Sequence, residues 1–566
     1  MKNIFLFILI FLSVSNNFFA QNNYPQNDFR SPIGFRLLIA GNFGELRSNH
    51  FHTGIDILTE GVQGKNVYSI ADGYISRINV SGGGYGNALY VTHPNGYVSV
   101  YGHLKSFRKD IAEYLDSAQH AKQKFAMNLY PLPEQFPVKK GEIIALSGNS
   151  GRSSGPHIHF EIRERDSEEP VNPYLFGITV KDDVQPRIFS LTRYNFTDPI
   201  DWDNFSKKTY SYKNIQGKTI KTNGNTGFGV ELQDYTTGRH NRNGIYHLTM
   251  KIDDTVYFEV KFDKLSFYTN RYINSYIDYG AYIYRKKRIT QCFVHPNNQW
   301  ANYLVKKNQG IYKITDDSTH RVEIIAKDFF GNKKTLRFNI VRDTTQNYVQ
   351  PIDQKNSVQK LYYTKENFYD SKDLKVTFHK NSLLYKLNFI HFETKPKFKA
   401  YSQIHHIHKA STPLFNKITI AIRADSLPDS LQTKALIAEI KKNGALSAAG
   451  GHYFDGFVIT KVNTFGKYVI VADTVPPRIV PISLAKSLVI TKNTISFKIY
   501  DDLSGIESYN GYIDGKWVLF TYDAKYHLIK CNLTNEKINK GKHELQLNIR
   551  DYSGNIETFK ANFTYK

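Results

Sequence analysis

The sequence predicts a mostly β protein of several domains, with one helical insertion and β-sandwich modules towards its C-terminus. Three observations lead there. Tyr and Phe number 39 and 38 among 566 residues, a composition that fits pleated, half-buried surfaces better than helices. Short runs of strand formers, such as Tyr74–Val80 and Ala88–Thr92, are cut throughout by Gly and Pro. The segment Asp182-Asp183-Val184-Gln185-Pro186-Arg187-Ile188 returns in altered form as Asp473-Thr474-Val475-Pro476-Pro477-Arg478-Ile479. The length exceeds one ordinary domain and suits three or four.

Residues 1–20 read as a signal peptide. Lys2 gives a positive start, Ile4 to Val14 is almost wholly apolar, and Ala20 offers a cleavage position before Gln21. The apolar run is short for a membrane span, so an uncleaved anchor is the competing reading. No Cys follows it, which argues against a lipoprotein. No later stretch is long and apolar enough to cross a bilayer. The expected location is therefore the periplasm or cell envelope, with secretion also open.

Residues 21–34 form a polar lead-in. Residues 35–177 have the texture of short strands separated by glycine turns, and Gly82, Gly83, Gly84 and Gly86 mark a loop. Between Lys105 and His120, Phe107, Ile111, Leu115 and Ala118 recur at helical spacing. Pro131, Pro133 and Pro137 end that pattern, so about 105–137 is a helical insertion in a β domain. It is expected either to cover part of this domain as a lid or to decorate its periphery.

The remainder divides as 178–344, 345–472 and 473–566. The first and last stretches open on the repeated Asp segment and close alike, at Asp328-Phe329-Phe330-Gly331-Asn332 and Asp551-Tyr552-Ser553-Gly554-Asn555. Both read as immunoglobulin-like β-sandwiches, the first enlarged by insertions, with a further β-rich module between them. Cys292 and Cys531 read as buried free thiols. The formal charge of +23 suits a polyanion such as a cell-wall polymer, or simply a soluble surface. The basic residues are scattered and no nucleic-acid motif is present, so no nucleic-acid partner is expected.

Residues of the first domain carry the chemistry. His52-Thr53-Gly54-Ile55-Asp56 is an H-x-x-x-D element and His157-Ile158-His159 an H-x-H element, with Tyr101-Gly102-His103-Leu104 between them. Side chains two or four apart on a strand share a face, so each pair can converge on one point. Imidazole and carboxylate are zinc ligands, and a catalytic zinc keeps three protein ligands and one open position. We assign His52, Asp56 and His159 to the metal. His103 and His157 then stay close by as proton carriers or oxyanion donors. His50 shares strand parity with His52 and is a neighbour of the site. Glu161 shares parity with His159 and either orients it or forms a plain salt bridge. His405, His406 and His408 form a second cluster, discounted as a metal site because no carboxylate accompanies it. Asp501-Asp502 with Ser504-Gly505 reads as a solvated turn rather than a calcium loop.

In order, the chain reads H-T-G-I-D, G-Y-G-N, Y-G-H-L, a Gly/Ser-rich loop at 148–156, then G-P-H-I-H-F-E. This series resembles the lysostaphin-type peptidases, a family of peptidoglycan metallopeptidases, over roughly residues 35–175. The resemblance implies a small antiparallel β domain whose groove holds one zinc ion on His52, Asp56 and His159, with His103 and His157 as the non-ligand active-site histidines. It implies a peptidoglycan peptide as substrate. Cleavage of direct D-Ala-to-diamino-acid cross-links is the first expectation, and glycine-rich bridges are also cut within the family. The C-terminal modules are expected to space the enzyme, attach it to the wall or dock an envelope protein. Two other functions compete: a wall-binding regulator that activates another hydrolase, and a peptidase acting on proteins.

Overall fold

In the main sheet of the first domain, alternation along one strand separates core from chemistry. The computed structural model describes residues 24–238, 240–345, 357–484 and 488–566, so the expected signal peptide lies outside the described residues. The strands of this domain are β1 (Ile39–Gly41), β2 (Ile55–Leu58), β3 (Asn66–Tyr68), β4 (Gly73–Val80), β5 (Asn87–Thr92), β6 (Tyr97–Gly102), β7 (Ser106–Phe107), β8 (Met127–Leu129), β9 (Pro137–Val138), β10 (Ile143–Leu146) and β11 (His157–Glu164). The main antiparallel sheet runs β1-β2-β11-β6-β5-β4-β8, with β9 beside β4, and β3-β10-β7 form a smaller sheet. Along β11, Ile158, Phe160 and Ile162 are fully buried in the core with Ile55, Ile57 and Tyr101. Burial of each stabilises the fold by about 1.5–3 kcal/mol. The alternate residues His157, His159, Glu161 and Arg163 therefore share the opposite face.

The insertion contains a helix, α1 (Lys109–Lys122), as the spacing predicts. Ile111 and Leu115 are buried in the core of the first domain. The helix ends at Gln123, which adopts a left-handed conformation with φ 47°. The outer side of the helix meets the C-terminal module: His120 Nε2 lies 3.0 Å from a Glu536 carboxylate oxygen, and its ring packs edge-on against Trp517.

The chain is mostly β, with 46% strand against 9% helix, in line with its Tyr- and Phe-rich composition. Residues 187–342 contribute a five-stranded and a six-stranded sheet, residues 357–472 another such pair, and residues 478–565 a four- and a five-stranded sheet. Cys292 and Cys531 are buried and unpaired. No helix among the described residues is long and apolar enough to cross a membrane.

The first domain and the module after it interlock. Phe43 and Phe51 belong to the hydrophobic core of the following modules, not to that of their own domain. Phe51 is fully buried and stacks on Trp300, with ring centroids 4.5 Å apart. The Asn270 amide brackets its backbone, accepting from Phe51 N at 2.5 Å and donating to Phe51 O at 3.4 Å. Asn42 and Gly244 pair reciprocally, at 2.7 and 2.8 Å.

Candidate metal centre

His159 lies on β11 directly across from Asp56 of β2 on one side and Gly102 of β6 on the other. His157 stands two residues earlier on the same face. His52 comes from outside the sheet. It precedes β2 in a bent segment, so it meets Asp56 through the turn at Gly54 and not through strand parity. A Cβ on Gly54 would lie 2.3 Å from the carbonyl oxygen of Phe160, so only glycine fits there.

Three donor atoms form a nearly equilateral triangle. His52 Nε2 is 3.1 Å from Asp56 Oδ1 and 3.1 Å from His159 Nδ1, and His159 Nδ1 is 3.0 Å from Asp56 Oδ1. Ligands of one tetrahedral zinc at about 2.0–2.2 Å lie roughly 3.3 Å apart, so small shifts convert this triangle into a coordination face. The donor set, two imidazoles and a carboxylate, suits zinc.

Neighbours fix which ring nitrogen is free on each histidine. His52 Nδ1 donates to the carbonyl of Asn42 at 2.8 Å, leaving Nε2 as a lone-pair donor. His159 Nε2 donates to Glu161 Oε1 at 2.7 Å, leaving Nδ1. His103 Nδ1 donates to the carbonyl of Ser150, and His157 Nδ1 to that of Gly155, both at 2.8 Å. Each of the latter keeps a free Nε2, and that of His157 is 3.5 Å from Asp56 Oδ1. The rings of His103 and His157 pack with centroids 4.7 Å apart.

Glu161 joins the two roles considered for it. It is fully buried, accepts from His159, from Thr53 Oγ1 and Tyr85 Oη at 2.6 Å each, and pairs with Arg163 Nε at 2.6 Å. Burial alone would raise its pKa, but Arg163 and His159 hold it well below the carboxylate range. Burial opposes charge on His159, yet Asp56 and Glu161 outweigh it and lift the pKa to about 9. Protons and a metal thus compete for the same nitrogen. His103 is the opposite case: burial, reinforced by His157 and His159, lowers it to about 3, so it is neutral at neutral pH.

His103 has φ 61°, an uncommon conformation for a non-glycine residue. Its position is held by two loops packed back to back. A Cβ on Gly86 would lie 2.5 Å from the Ser150 carbonyl carbon, and one on Gly151 2.3 Å from Gly86 N. The glycines of the G-Y-G-N and Gly/Ser-rich segments thus let these loops touch, which aims the Ser150 carbonyl at His103.

The site opens on a groove of about 1220 Å³. One wall is peptidase-side, with Tyr85 and Arg152; the other comes from the next module, with Arg242, Phe267 and Arg271. His50 lines the groove but stays outside the donor triangle, bonding Ser48 O through Nδ1 at 2.8 Å. No residue of 105–137 lines it, so of the two expectations for the insertion the structure favours the periphery, with α1 packed against the C-terminal module. The discounted histidine cluster is also corrected. Glu393, opposite His405 across a strand pair, brings a carboxylate oxygen 3.4 Å from His405 Nδ1, and His391 joins them. His406 and His408 turn instead to Thr394 and Thr412.

The stretch that carries the donor triangle also matches known proteins in sequence. Residues 50–123 and 125–173 match Peptidase family M23, and residues 358–473 match the Zu5-like domain. A DD-carboxypeptidase/endopeptidase, Mpg, of Neisseria meningitidis serogroup B is 34% identical over 143 residues, 25% of this chain and 25% of its own length. The peptidoglycan DD-endopeptidase ShyC of Vibrio cholerae is 26% identical over 155 residues, 26% of this chain and 30% of its own. These alignments span only about a quarter of each of the two relatives. The catalytic domain of the prophage-encoded protein EnpA from Enterococcus faecalis, a solved structure, is 24% identical, with a TM-score of 0.20 over 26% of this chain and 98% of that one. The chain carries a lysostaphin-type Peptidase family M23 domain.

Proposed function

We propose that this protein is an exported zinc endopeptidase that hydrolyses the peptide cross-links of bacterial peptidoglycan. His52, Asp56 and His159 would hold the ion. The observation that carries the reading is the donor triangle with its tautomers already set: His52 Nε2, Asp56 Oδ1 and His159 Nδ1 in mutual contact, each ring anchored by a fixed acceptor behind it. Zinc at that point supplies a Lewis acid and a nucleophile competent at neutral pH.

The chain's own residues complete the chemistry. His103 and His157 present free Nε2 atoms to the site, so one accepts a proton and returns it to the leaving amine, while the other, when it carries a proton on Nε2, donates to the developing oxyanion. Burial keeps His103 neutral at neutral pH, with its Nε2 unprotonated. Arg152, Arg242 and Arg271 line the groove and offer cations to the free carboxylates of a stem peptide. Glu161 and Arg163 keep His159 oriented.

The test is release of muropeptides from intact sacculi by the purified protein, with and without a chelator, read by mass. Cross-linked dimers should fall to monomers, and chelation should stop the reaction. Unchanged sacculi after zinc is supplied would overturn the proposal.

A further inference from the structure

The repeat noticed in the sequence gathers carboxylates at one place. Asp182 precedes the strand Arg187–Phe196, Asp234 follows Gly224–Gln233, and Asp328 follows His320–Lys327. In the fold, one carboxylate oxygen from each lies within 4.8 Å of one from each of the others. The three residues are 8%, 3% and 4% exposed, so none escapes to solvent.

Their polar atoms are only partly answered. Asp182 Oδ1 accepts from the backbone N–H groups of Val184 and Thr237, both at 3.1 Å. Asp328 accepts from Asn332 through both oxygens, at 2.8 and 2.7 Å. Asp234 Oδ1 is buried with no hydrogen-bond partner. So is the hydroxyl of Tyr174, whose charged neighbours are these three aspartates. Among the described residues no Lys, Arg or His forms an ion pair with any of the three; Lys181 pairs with Asp183 instead. Carboxylates buried together without a countercharge are strongly unfavourable.

We propose that Asp182, Asp234 and Asp328 bind one Ca²⁺ ion at the seam between the peptidase domain and the module that follows it. Oxygens sharing a Ca²⁺ at about 2.4 Å lie at most about 4.8 Å apart, which these satisfy. The donor set is all oxygen, without His or Cys, and so selects a hard cation over zinc. Tyr174 belongs to the peptidase core and sits between Phe329 and Phe330, with centroids 5.3 Å from each. The ion therefore fastens the wall-forming module to the peptidase. The arrangement recurs in the C-terminal module, where Asp473, Asp501 and Asp551 lie within the same 4.8 Å and Asn555 repeats the bonds of Asn332.

The experiment is equilibrium dialysis of the full chain, zinc-loaded, against about 1 mM free Ca²⁺, the range of extracellular calcium modules. Wild type should bind calcium, and Asp234→Asn, checked for folding by circular dichroism, should bind one ion fewer per chain. Asp182→Asn gives the same reading if Asp234→Asn fails to fold. Wild type that binds no calcium overturns the proposal. So does calcium that Asp501→Asn removes while Asp234→Asn and Asp182→Asn leave it in place. Neither result bears on the zinc reading, which is measured separately on sacculi.

Discussion

His159 faces Asp56 directly across two antiparallel strands, with Nδ1 3.0 Å from Oδ1, while its other nitrogen is tied to Glu161 at 2.7 Å. One ring is thereby clamped from both ends, which aims its Nδ1 at the donor triangle.

Removing a triangle member should remove the metal. His159→Ala is expected to purify with little zinc, measured by atomic emission, and to release no muropeptides. His103→Ala should keep its zinc and lose about 10²–10⁴-fold in rate, because a proton carrier is gone and no ligand is. Wild-type turnover in His103→Ala would contradict its assignment.

Glu161→Gln keeps an acceptor for His159 but drops the charge that fixes the ring. Zinc affinity, titrated against a competing chelator, should weaken by about 10–100-fold. Activity should return substantially at saturating zinc, which separates positioning from catalysis.

Phe51→Ala tests the interlock. The side chain is fully buried against Trp300, so its loss should cost about 3–5 kcal/mol in urea unfolding. The adjoining His52 should also lose its alignment, lowering activity of the folded fraction.

Acid should destabilise the protein through His103. Its native pKa is lowered from 6.5 to about 3, chiefly by burial. The contribution is complete above pH 6.5 and is lost as pH falls from there towards about 3, since protons then favour the unfolded chain. At pH 4 His103→Gln should lose less stability, relative to pH 7, than wild type does. The difference should be on the order of a few kcal/mol in denaturant midpoints converted to free energy.

Arg242 lines the groove from the second module and is exposed. Arg242→Ala should raise KM for stem peptides with free carboxylates by about two- to five-fold, with kcat little changed. Peptides with amidated carboxyls should show no difference.

Much of this site was legible in the sequence. The H-I-H-F-E-I-R alternation of β11 separates core from chemistry at a period of two, and the helical spacing at Phe107, Ile111, Leu115 and Ala118 marks α1. The parity argument succeeds for His157 and His159, which lie on one strand. It does not apply to His52, whose convergence depends on a bend that only Gly54 permits. The carboxylate beside His405 escaped notice because Glu393 is twelve residues away along the chain and adjacent only across a strand pair.

The sequence by itself determined the strand-rich class, the helix in the insertion and the candidate donors His52, Asp56 and His159, because periodicity and residue chemistry are local properties. Only the tertiary structure decided that Phe51 is a plug in a neighbouring core, that Arg242 and Phe267 wall the groove, and that Asp182, Asp234 and Asp328 meet. Those relationships join residues up to about two hundred and fifty positions apart, and close packing between domains, which leaves no periodic trace along the chain, brings them together.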